Sequence, residues 1–159
     1  MSDRTELPGG GTVGLLDDCD AINAASIVYL RMWCSSPDTQ ASMLADLTNT
    51  LGAARGDKAV ETFAQICRLC TRYGRRPLAR HGLGCRCIGA DEASFAQLIA
   101  TATEGDRDDA MLIAILMVRP DMAPILISLA TTFGLALKQM NLAAPKTVKQ
   151  AAAYQPTLH

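Results

Sequence analysis

The sequence predicts an all-α, single-domain bundle of about six helices, on three observations. Apolar residues make up 49% of the chain and aromatics only 4%, so Ala, Leu, Ile and Met carry the apolar weight, a helix-forming composition. Helix-opening Asp and Ser residues and helix-closing glycines recur at helix-length intervals. No stretch alternates apolar and polar residues as a half-buried strand does. At 159 residues the chain suits one domain with one core, and its 19% charged content excludes a mainly disordered polypeptide.

Each helix has its own punctuation. Asp17, with Asp18 and Asp20 in the first turn, predicts a first helix to about Cys34. Ser36-Pro37 reads as the N-cap and first residue of a second, which Gly52 closes. Gly56-Asp57 opens a third, stopped by Gly74, along which Val60, Phe63, Cys67 and Cys70 share a face. Asp91 begins a fourth, ended by Gly105, with Phe95, Leu98, Ile99 and Ala102 on one face. Asp106 caps a fifth to Val118. Asp121 caps a sixth, with Pro124 inside its tolerant first turn. The apolar runs Ala110–Val118 and Met122–Leu137 are shorter than the ~20 residues that cross a bilayer, so no transmembrane segment is expected. They predict a buried hairpin or the interface of a homodimer.

Residues 1–14 are expected to be a flexible leader, 15–141 the helical domain, and 142–159 a flexible tail. Gly9, Gly11 and Gly14 spell G-x-G-x-x-G, but without a preceding strand or a βαβ unit they carry no dinucleotide site. The first residues show no secretory pattern, so a cytoplasmic, reducing location is expected. Clustered thiols there point to metal or redox chemistry rather than disulfides.

Those thiols lie around the irregular stretch Gly74–Ala90, unusually long for a link inside a compact domain unless something orders it. Cys67 and Cys70, one helical turn apart, are followed by His81, Cys85 and Cys87. Zinc takes four thiolate or imidazole ligands, commonly two from each of two short motifs. The spacing therefore predicts a zinc knuckle at 67–87 between the third and fourth helices, holding one structural zinc per chain. The four ligands are either all thiolate or three thiolates and His81. An iron–sulfur cluster is the minor alternative. The competing explanation makes Cys67 and Cys70 small core residues continuing the Val60/Phe63 stripe. Cys19 and Cys34, too far apart on one helix to share a metal, read as packing residues.

Between Cys67 and Ala90 stand Arg68, Arg72, Arg75, Arg76, Arg80 and Arg86 and no acid, so this segment holds +6 while the rest of the chain holds −7. Such asymmetry marks an anionic partner, although the arginines could equally neutralise thiolates or meet Asp106, Asp108 and Asp109 of the same or a second copy. The expected function is a non-enzymatic cytoplasmic regulatory or adaptor protein with structural zinc, contacting an acidic partner through the Arg-rich knuckle. A zinc-dependent nucleic-acid-binding transcriptional regulator and a thiol-based or zinc-coupled redox sensor are the alternatives. A helix-turn-helix over 91–118 is disfavoured, because carboxylates at the start of its second helix would repel phosphates. No acid, base and nucleophile can be assigned as a set, so an enzyme is not the expectation.

Overall fold

A computed structural model describes residues 11–143. In chain order these form β1 (Thr12–Leu15), α1 (Ala21–Ser35), α2 (Pro37–Leu51), α3 (Ala53–Tyr73), β2 (Cys87–Gly89), α4 (Ala90–Thr103), α5 (Arg107–Met117) and α6 (Ala123–Ala143). Six helices make the bundle, as the punctuation predicts. Residues 1–10 and 144–159, most of the expected leader and tail, lie outside the described residues.

The boundaries follow capping chemistry. Asp20, not Asp17, caps α1: its carboxylate accepts the Asn23 N–H at 2.8 Å, while Asp17 and Asp18 sit in a preceding 3₁₀ turn. That turn is tied down elsewhere, with Leu16 buried and its N–H donated to the Arg86 carbonyl at 2.8 Å. At α2, Ser36 and Thr39 form a reciprocal capping box ahead of Pro37. Gly52 alone separates α2 from α3, and its φ of +91° suits a residue without Cβ. The third helix therefore starts at Ala53, before the predicted Gly56. Asp106 caps α5 by accepting the Asp109 N–H, as expected.

Phe63 of α3 is the centre of the core. It is fully buried, and its ring meets Trp33 of α1, Phe95 of α4 and Phe133 of α6 at centroid distances of 6.2, 5.8 and 4.7 Å. The largest helix seams are α2 on α3, α4 on α6, α1 on α4 and α3 on α6. At the α4–α6 seam a Cβ on Gly134 would lie 1.6 Å from the Thr103 hydroxyl, so only glycine lets the two helices approach this closely. By length and composition the stretch Pro120–Asn141 could cross a membrane, contrary to the reading of two short apolar runs. In the fold its Leu126, Ile127, Ala130, Phe133, Leu137 and Met140 are buried in the bundle.

Two strands were not expected. β1, which straddles the end of the segment read as a leader, pairs antiparallel with β2, matching Gly14 with Ile88 and Leu15 with Cys87. Neither strand is long enough to show an alternating pattern, so hydropathy carried no sign of them.

Candidate functional site

The stretch between α3 and α4 is ordered from its α4 end. Gly89 precedes that helix, so Glu92 sits in its first turn and reaches back to accept the Gly89 N–H at 3.0 Å. Arg31 approaches from α1. Its Nε and Nη2 donate to the two Glu92 oxygens at 2.7 and 2.9 Å, a bidentate pair with side chains only 1% and 0% exposed. The remaining capacity of both groups goes to backbone. Arg31 Nη1 and Nη2 donate to the Cys85 and Cys87 carbonyls at 2.5 and 2.8 Å, and Glu92 accepts the His81 N–H at 3.1 Å. One buried ion pair therefore fixes four points of the irregular stretch.

Asp91 fixes two more, at Arg76 and Ala79. It accepts both Nη groups of Arg76, at 2.7 and 2.5 Å, and the Ala79 N–H at 2.7 Å. Burial pushes its carboxyl up, but the hydrogen bonds from Arg76 and Ala79 and the guanidinium charge outweigh that and hold it below the ordinary carboxylate range. At the other end, Gly74 bridges to Val118, and the Arg75 N–H donates to the Met117 carbonyl at 3.0 Å, tying the end of α3 to the end of α5.

The predicted knuckle is not gathered as expected. Among the described residues, no three of His, Cys, Asp and Glu lie in a group that could hold a metal ion. Arg31 holds the carbonyls of Cys85 and Cys87 close to α1 and α4, whereas Cys67 and Cys70 pack on the hydrophobic core. Cys70 is buried in the core and Cys67 packs against it, as the core-stripe explanation has it. The thiol electrostatically close to both is Cys34, which the sequence assigned to packing alone. His81 is 6% exposed, and its Nε2 has no hydrogen-bond partner among the described residues.

Cys34 and Cys67 line an open groove of about 480 Å³ with Trp33, Ala64, Thr71, Arg68 and Arg80. Arg80 spans its wall by donating to the Cys34 carbonyl at 3.2 Å. Burial, with the neighbouring thiols adding to it, pushes Cys67 well up and Cys70 up to about 12. These thiols stay protonated at neutral pH and are poor nucleophiles.

The arginine island divides in two. Arg76 and Arg80 are engaged as described, and Arg86 pairs with Asp17. These three hold the fold, against Asp91 and Asp17 rather than the anticipated Asp106, Asp108 and Asp109. Arg68, Arg72 and Arg75 are exposed, and none has a carboxylate partner among the described residues. Arg72 lies over the Tyr73 ring at 5.9 Å, and Arg75 Nε donates to the Ile115 carbonyl at 2.6 Å.

Sequence reasoning missed Arg31, Glu92 and the role of Asp91. One signal was present: Arg31 interrupts the otherwise apolar run Ile27–Trp33, where a lone cation needs a buried partner. Compared with protein-family models, curated proteins and solved structures, the chain matches none, so its function has to be argued from these residues.

Proposed function

We propose that this chain is a non-enzymatic regulatory or adaptor module that contacts an acidic protein surface through Arg68, Arg72 and Arg75. The observation that supports it is the division of the arginines: Arg76 and Arg86 are neutralised by Asp91 and Asp17, and Arg80 donates to the Cys34 carbonyl, whereas Arg68, Arg72 and Arg75 are exposed with no carboxylate partner among the described residues. Guanidinium groups suit forked hydrogen bonds to carboxylates. Protein is favoured over nucleic acid because three cations are few for a phosphate track. The nearby Tyr73 ring already has the Arg72 and Arg119 guanidiniums at 5.9 and 5.0 Å from its centroid, and one aromatic is thin support for base stacking.

The test uses immobilised polyglutamate at low salt. The intact chain is expected to be retained, and Arg68→Glu/Arg72→Glu/Arg75→Glu to lose at least ~10-fold in affinity. A control with the same charge change elsewhere, Arg55→Glu/Lys58→Glu/Lys138→Glu, should lose much less. Equal losses would overturn the proposal. Stronger retention on mixed DNA and RNA fragments, dependent on the same three arginines, would transfer it to nucleic acid.

A second reading keeps zinc, supported by the buried His81 Nε2 that lacks a partner. Cys67, Cys70 and His81, with Cys85 or Cys87, would hold the ion, whose contribution would be to cross-link the 74–90 stretch to α3. Thiol counting with and without chelator tests it beside elemental analysis. Zinc predicts one metal per chain and thiols that chelator unmasks. Metal-free protein whose Cys67 and Cys70 label slowly in either condition would overturn zinc and leave burial as the cause. Rapid labelling of both would contradict the burial and revive the redox reading.

A further inference from the structure

The surface of α5 has a pattern that the bundle does not use. Leu112 and Leu116, one turn apart, are 60% and 75% exposed. On the N-terminal side of this pair stand Asp106, Asp108 and Asp109, all exposed, with no ion-pair partner among the described residues, and with the exposed Arg107 among them this end still carries a net −2. On the C-terminal side stands Arg75, anchored to the α5 carbonyls of Ile115 and Met117, with Arg72 a turn back along α3. Along about 16 Å of helix the surface thus reads acidic, apolar, basic.

Acids in a first turn and a cation at the last carbonyls are ordinary helix electrostatics. The two leucines between them are not explained that way. A surface that reads acid, apolar, base in one direction is complementary to itself when turned end for end. A two-fold axis through its centre sets leucine against leucine and each acidic end against a basic end. No other partner needs to be supplied to satisfy all three parts at once.

We propose that two copies of this chain associate through α5, packed antiparallel, with Leu112 and Leu116 at the centre and Asp108 and Asp109 of each copy facing Arg72 and Arg75 of the other. This rests on the acidic-partner reading of Arg72 and Arg75 and names that partner as a second copy; Arg68 stays outside the contact. The Asp109 carboxyl supports it from another side. The Asp106 side chain and charge, with Asp108 adding to them, push it up, and an opposing guanidinium relieves that crowding.

The experiment is sedimentation of the full chain over a range of concentration, with helicity checked for every variant. The intact chain is expected to dimerise. Leu112→Glu/Leu116→Glu should weaken association by on the order of 100-fold, since symmetry counts each leucine twice. Arg72→Glu/Arg75→Glu gives a face acidic at both ends, and Asp108→Lys/Asp109→Lys a face basic at both ends. Each alone should be monomeric. Mixed one to one they should form a heterodimer, because each end then meets its opposite. A dimer indifferent to these substitutions, or no heterodimer from two folded variants, would overturn the proposal. A chain monomeric at every concentration would overturn it too, while retention on polyglutamate through Arg68, Arg72 and Arg75 would leave the arginine reading standing. Conversely, a dimer broken by the leucine variant alone, with no arginine dependence in either assay, would refute the arginine reading as well.

Discussion

Glu92→Ala will lower the free energy of unfolding by about 3–5 kcal/mol, measured by urea or guanidinium denaturation. The pair it breaks is buried on both sides, so alanine leaves the Arg31 guanidinium charged, dry and unopposed. It also orphans the N–H groups of His81 and Gly89. Against a usual domain stability of about 5–15 kcal/mol, much of the fold's margin goes with one carboxylate. The companion variant separates two explanations. A buried ion pair can often be exchanged for well-packed apolar residues without loss. Arg31→Met/Glu92→Leu should not recover stability here, because the backbone of Cys85, Cys87, His81 and Gly89 depends on the same two side chains. Full recovery in the double variant would show that the cost of Glu92→Ala is the stranded Arg31 charge, and that the stretch is ordered without these backbone bonds.

Phe63→Ala should cost a similar amount, about 3–5 kcal/mol, through the cavity left where three aromatic rings converge. Phe63→Leu, which keeps much of the volume, should cost markedly less. Trp33 packs on Phe63 and lines the thiol groove, so its fluorescence reports the change directly. A shift in the Trp33 emission of folded Phe63→Ala, with Cys34 labelling faster, is the expected local signature. A loss below about 1 kcal/mol would mean that the neighbouring rings close over the space.

The helices were legible because their signals are local. Ser36-Pro37, Gly52, Gly74, Asp106 and the Val60/Phe63 stripe each act within a turn or two of themselves. What sequence reasoning missed acts at a distance. Nothing near Arg31 announces Glu92, 61 positions away, and strands of four and three residues carry no periodicity to read. The site reading rested on proximity along the chain. Spacing put five metal-type ligands within 21 residues, and that density suggested a single centre. In the fold Arg31 holds the carbonyls of Cys85 and Cys87, and no group of three metal-type ligands forms among the described residues. Cys67 and Cys70 meet instead a thiol from another helix. The arginine island was read correctly as a charge anomaly. Its division into structural and free members depended on Asp17 and Asp91, which the sequence presented as helix-capping residues.

The long reach of the Arg31–Glu92 pair bears on the order in which the chain can fold as it is made. Helices form in nanoseconds to microseconds, whereas synthesis adds about 5–20 residues each second. The first three helices therefore wait for seconds with a guanidinium on the face they would bury, and docking that face early would strand a charge in the core. The N-terminal half should thus stay open, and soluble at that point, until the start of α4 leaves the ribosome. β1 waits with it, since its only strand partner is made just before Glu92. A nascent chain halted ahead of residue 92 should be sensitive to protease across α1, and one carrying a few turns of α4 should not. The cation that steadies the finished protein would then also act as a latch against premature closure.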